Sequence, residues 1–74
     1  MIKIVAEHFV KEESRDSFMA LARDLVNESR KETGNISYHL FVDRADQLHF
    51  TFIEEWQNQE AIDEHNQTKH FTIS

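Results

Sequence analysis

Apolar and polar residues alternate along three stretches of the chain and follow a helical period in two others. From Ile2 to Val10, residues Ile2, Ile4, Ala6, His8 and Val10 share one face. Lys3, Val5, Glu7 and Phe9 share the other, the two-residue period of a strand. Lys11–Glu13 is a short charged connection. Ser14 is placed to cap a helix, and Asp16 in its first turn favours the dipole. Phe18, Leu21, Ala22, Leu25, Val26 and Ser29 then recur at helical spacing and predict an amphipathic helix from Ser14 to Glu32. Gly34 stands where a left-handed C-terminal cap would end it.

Alternation returns in Asn35–Asp43, where Ile36, Tyr38, Leu40 and Val42 oppose Ser37, His39 and Phe41. It returns again in Gln47–Trp56, where Leu48, Phe50, Phe52, Glu54 and Trp56 oppose His49, Thr51, Ile53 and Glu55. The polar turn Arg44–Asp46 between them predicts an antiparallel hairpin. From Gln57 the pattern is helical, with Ala61, Ile62 and His65 on one face and Thr68, Phe71 and Thr72 after a break near Gln67. The order β-α-β-β-α is most of a ferredoxin-like split βαβ unit, an α+β fold with an antiparallel sheet. A fourth strand would complete it, and none is written in residues 1–74, which read as a single domain. Either the sequence is C-terminally truncated or the sheet is completed through a partner.

The two sheet faces differ less than a half-wet sheet requires. The even face of the hairpin suits the helix stripe. The odd face still carries Val5, Phe9, Phe41 and Ile53 among its histidines. A second copy of the chain is the simplest cover, so a homodimer through this face is expected; scattered surface apolars are the alternative.

Composition narrows the function. A chain of 74 residues buries only roughly 60% of its unfolded surface. It has no Cys, which excludes disulfides, a thiol nucleophile and thiolate-held metal. Eight Lys and Arg against 14 Asp and Glu give a net charge of −6, against any role in tracking nucleic-acid phosphates. No apolar run approaches a membrane span and no signal-peptide pattern opens the chain, so a cytoplasmic protein is expected.

Five histidines are the chemical raw material. His39 and His49 share a hairpin face but lack an evident third metal ligand, the H-E-x-x-H pattern is absent, and His65 and His70 fall on different faces of a continuous helix. No metal site is therefore expected. His65 points with Ala61 and Ile62 toward the sheet, where it could serve as acid, base or donor or simply tie helix to sheet. Glu54 and Trp56 end the third strand on the core side. A carboxylate there needs a partner, His65 or His8, or an opening to water. Tyr38 suits a pocket wall, and Phe52 lies on the same face.

These residues resemble a family. Gly34-x-Ile36-x-Tyr38-x-Leu40, Phe50-x-Phe52-x-Glu54-x-Trp56, Ala61-Ile62-x-x-His65 and His70-Phe71, with the opening strand IKIVAEHFV, are similar to the antibiotic biosynthesis monooxygenase domain over essentially the whole chain. The resemblance implies a dimeric α+β barrel with a pocket between sheet and helices. Its relatives include cofactor-independent monooxygenases of aromatic polyketides, quinol monooxygenases, haem-degrading enzymes and a processing enzyme for a phosphorylated signalling sugar. Trp56 and His65 stand at the family's typical Trp and His positions, and Tyr38 and Phe71 match its pocket aromatics. The Asn that some members carry near the Trp is missing from the third strand; Asn58 follows in the turn. The expectation is a cofactor-independent monooxygenase using O2 on a small aromatic phenol or quinol. His65 and Trp56 would be catalytic, with Tyr38, Phe71, Glu54, His8 and Phe52 around the substrate. A non-catalytic small-molecule-binding or protein-interaction module of the same fold is the alternative.

Overall fold

The computed structural model describes residues 1–71. In chain order it contains β1 (Ile2–Phe9), a 3-10 turn (Glu12–Ser14), α1 (Arg15–Ser29), β2 (Asn35–Val42), β3 (His49–Trp56) and α2 (Gln59–His65). The sheet order is β1-β3-β2 and both pairings are antiparallel. β1 and β2 therefore run parallel on either side of β3, with α1 as their crossover. This is the α+β split βαβ fold that the alternation predicts.

Register aligns the even-numbered residues of all three strands beneath the helices. Ile4 and Tyr38 flank Glu54, and Ala6 and Leu40 flank Phe52. The buried core joins Tyr38, Phe52 and Trp56 of the sheet to Ala22, Leu25 and Val26 of α1 and Ala61 and Ile62 of α2. Trp56, Tyr38 and Phe52 are among the largest fully buried side chains of this core.

Local chemistry moves several expected boundaries. Ser14 makes no side-chain cap; the helix instead starts from the 3-10 turn. It ends at Ser29, where Lys31 and Glu32 N–H groups bond three residues back, to Glu28 and Ser29, the tightened last turn common at helix ends. Leu21 lies roughly a quarter-turn from the centre of the buried stripe and is 51% exposed. A register shift between Asn35 and Ser37 makes Ile36 the extra residue of a bulge, which leaves it 49% exposed rather than in the core. Val42, at the hairpin end of β2, is also exposed. In the turn, Asp43 Oδ2 accepts the N–H groups of Ala45 and Asp46 at 2.8 and 2.9 Å, the local bonding that suits Asp to such positions.

Gly34 is not a left-handed cap, since no glycine has positive φ. Its reason is proximity: a Cβ there would sit 2.3 Å from the Ala61 Cβ. The loop leaving α1 thus packs its backbone against α2. α2 is opened by Asn58, whose Oδ1 accepts the Ala61 N–H at 2.9 Å, an N-cap. It closes after His65, where the Thr68 hydroxyl donates to the His65 carbonyl at 2.7 Å. Phe71 follows in the described turn; Thr72 lies outside the described residues.

The outer sheet face keeps its apolar character. Phe9 is 74% exposed, and Val5 and Phe41 are exposed beside it.

Candidate active site

The alternation of β3 sends Glu54 and Trp56 to the same inner face, where the Trp56 indole N–H donates to Glu54 Oε1 at 3.0 Å. β2 brings Tyr38 opposite Glu54. The last residue of α2, His65, sets its ring 4.6 Å from Trp56 and 5.7 Å from Tyr38. Phe71 meets the His65 ring edge-on at 4.9 Å. Phe52 continues the aromatic layer through an edge contact with Tyr38 at 5.7 Å. Trp56, His65, Tyr38, Phe71, Glu54 and Phe52 are thus brought together.

Two residues of the cluster were not anticipated. Glu32, in the turn after α1, places Oε2 at 2.6 Å from His65 Nδ1 and 2.8 Å from His70 Nε2. The helical phase that separated His65 from His70 does not apply, because α2 ends at His65 and the chain folds back. Glu54 is not the partner of His65. One signal for Glu32 was available: an acidic residue just past a helix C-terminus opposes the dipole and needs another reason to be there. A carboxylate oxygen accepts, so His65 Nδ1 carries a proton, and in the neutral ring Nε2 keeps its lone pair.

That Nε2 is buried and, among the described residues, has no hydrogen-bond partner; the same holds for the Tyr38 hydroxyl and Ser29 Oγ. Burial, and then the Glu54 charge, pushes the Tyr38 phenol well above its ordinary value. Ser29 and Glu54 stand near enough to influence that hydroxyl, yet neither makes a well-formed hydrogen bond with it. Polar atoms without hydrogen-bond partners thus stand among the aromatic rings of this layer.

His8 does not join the cluster. It pairs with Phe50 while Trp56 pairs with Ile2, which separates the two positions by about 20 Å along the sheet. Its ring rests against Phe18 and Phe52. His39 and His49 also part: Arg30 Nη2 approaches His39 Nδ1 at 3.2 Å, and His49 Nε2 meets Glu7 at 2.9 Å. A groove of about 360 Å³ between α1 and β2 is lined by Arg23, Val26, Asn27, Arg30 and Leu40, away from Trp56 and His65. Among the described residues, no helix is long and apolar enough to cross a membrane.

Sheet, helices and aromatic layer define a small ferredoxin-like α+β protein with a buried histidine set against its aromatic rings. The sequence profile of antibiotic biosynthesis monooxygenases matches residues 1–72. Over 71 residues the chain is 39% identical to YcnE of Bacillus subtilis, provisionally named a monooxygenase, covering 96% of this chain and 75% of that protein. It is 39% identical over 62 residues to the uncharacterized protein sll1783 of Synechocystis, covering 84% of this chain and 42% of that one. A crystal structure of an antibiotic biosynthesis monooxygenase superposes with TM-score 0.93 at 45% identity, over 99% of this chain and 77% of its own. A conserved protein from Methanosarcina mazei Go1 superposes with TM-score 0.88 at 33% identity, over 93% and 68%. The chain belongs to the antibiotic biosynthesis monooxygenase family.

Proposed function

We propose that this chain is a cofactor-independent monooxygenase that uses O2 on a small phenol or quinol, with His65 as the general base. The observation that carries the reading is the buried, unpartnered Nε2 of His65, whose opposite nitrogen is held by Glu32. Fixing Nδ1–H aims the lone pair of Nε2 into the aromatic layer. Nε2 takes the phenol proton. The phenolate transfers one electron to O2, and the resulting radical and superoxide join at a ring carbon. The peroxide regains the proton from His65 and loses water, leaving a carbonyl on that carbon. One oxygen atom ends in the quinone and the other in water.

Trp56, Tyr38 and Phe71 stack on the substrate and exclude water. Phe71, partly exposed where Trp56 and Tyr38 are buried, is the ring that yields to admit it. Family membership supports the oxygenase class, and the aromatic side chains around His65 support an aromatic substrate. The same reading makes the protein a cytoplasmic homodimer joined through the outer sheet face, supported by exposed Val5, Phe9 and Phe41.

A second reading, a non-catalytic binding or interaction module, is favoured by the closure of the layer, with Trp56 fully buried and His65 almost so. Oxygen consumption against a panel of quinols and anthrone-like phenols, with metals chelated, separates the two. Turnover that His65→Ala abolishes while keeping its circular dichroism supports the oxygenase. Turnover equal in His65→Ala refutes the base. Thermal protection by a phenol with no oxygen consumed indicates the binding module.

A further inference from the structure

We infer that Glu32, His65 and His70 form a site for one divalent cation of the zinc class, behind the ring of His65. One ligand atom from each residue, two imidazole nitrogens and a carboxylate oxygen, lies within 4.8 Å of the others. The donors come from three separate segments: the turn after α1, the end of α2 and the turn beyond it. All are sheltered, with side-chain exposures of 17%, 2% and 15% for Glu32, His65 and His70. Among the described residues, the ion pairs of Glu32 are with these two imidazoles and with no Lys or Arg. A pure tie between loop and helix needs one imidazole on the carboxylate; here two imidazole nitrogens converge on one carboxylate oxygen.

Two nitrogens and one oxygen suit Zn²⁺ and its late first-row neighbours, whereas Mg²⁺ and Ca²⁺ call for oxygen sets. Tetrahedral bonds of about 2.0–2.1 Å keep neighbouring donors roughly 3.3 Å apart. The two hydrogen-bonded contacts at 2.6 and 2.8 Å therefore open by about 0.7 and 0.5 Å on loading. A water completes the shell.

Loading has a consequence that rests on the proposed function. Coordination through Nδ1 moves the imidazole proton of His65 to Nε2. The nitrogen that serves as base is then blocked, so the bound cation inhibits the oxygenase.

The test is calorimetric titration of tag-free, chelator-treated protein with Zn²⁺ near neutral pH, read without any turnover. The expected result is one ion per chain, with affinity reduced about tenfold or more in His70→Ala and unchanged in His49→Ala, which alters the separate pair with Glu7. Absence of saturable binding, or equal affinity in His70→Ala, overturns the site. Histidine side-chain NMR of the unaltered protein carries the same test without a variant. Resonances of His65 and His70 shift together on adding Zn²⁺; shifts confined to His8, His39 and His49 overturn it. Where quinol turnover is measured, Zn²⁺ suppresses it in the unaltered protein. Unchanged turnover with zinc bound overturns the inhibition and leaves the oxygenase reading standing.

Discussion

Gly34→Ala tests the contact that holds α2 to the sheet layer. The new methyl would lie 2.3 Å from the Ala61 Cβ and 3.4 Å from its Cα. Carbon atoms pack at about 3.5–4.0 Å, so loop and helix must part by more than an ångström. Neither partner is the far end of a flexible chain: one is backbone-borne, the other the stub of a buried helix residue. Overpacking of this kind costs about 1–3 kcal/mol. For a domain this small that lowers Tm by roughly 4–8 °C per kcal/mol. Urea and thermal unfolding measure it, and a double-mutant cycle with Ala61→Gly isolates its cause. Ala61→Gly alone loses helix propensity of about 1 kcal/mol. Combined with Gly34→Ala it removes the clash, so the pair is less destabilised than the sum of the singles. A fully stable Gly34→Ala, or strict additivity in the cycle, refutes the close-approach argument. Because α2 carries His65, the proposed oxygenase reading adds a second expectation: an ångström of displacement misplaces that ring, and oxygen consumption falls by up to about a hundredfold.

Tyr38→Phe removes a buried hydroxyl that has no partner, so stability stays level or rises by about 1 kcal/mol; a clear loss would show a bond the structure lacks. The Tyr38 phenol is raised in the folded state. Its contribution is complete below the unfolded value near pH 10 and is lost as pH rises beyond it; alkaline unfolding of Tyr38→Phe therefore loses that part of the pH dependence. Phe9→Asp and Phe41→Asp charge the outer face, and sedimentation should show monomer while circular dichroism is kept; an unaltered dimer sends the interface elsewhere.

The elements were legible because strands and helices write their periods directly in side chains: Tyr38, Phe52 and Trp56 fall inward on parity alone. Strand order was not so written. Parity placed His8 on the inner face correctly, but only β3 between β1 and β2 sets it at the far end from Trp56. A bulge shifts parity by one residue, and Ile36 left the core for that reason. Gly34 was visible as a special position with the wrong cause, since a close approach between distant segments leaves no local pattern. Glu32 and His70 were hidden because both lie in turns, where periodicity says nothing about direction.

The central place of β3 also orders assembly. β2 and β3 close across residues 43–48, whereas β1 must bridge from Phe9 to His49 to find its partner. Chain closure favours the short connection, so the hairpin nucleates and β1 zips on afterwards, its rate governed by sequence separation. Detaching the start of β1 lifts Ile2 and Ile4 from beside Trp56 and Glu54 while the hairpin stays paired.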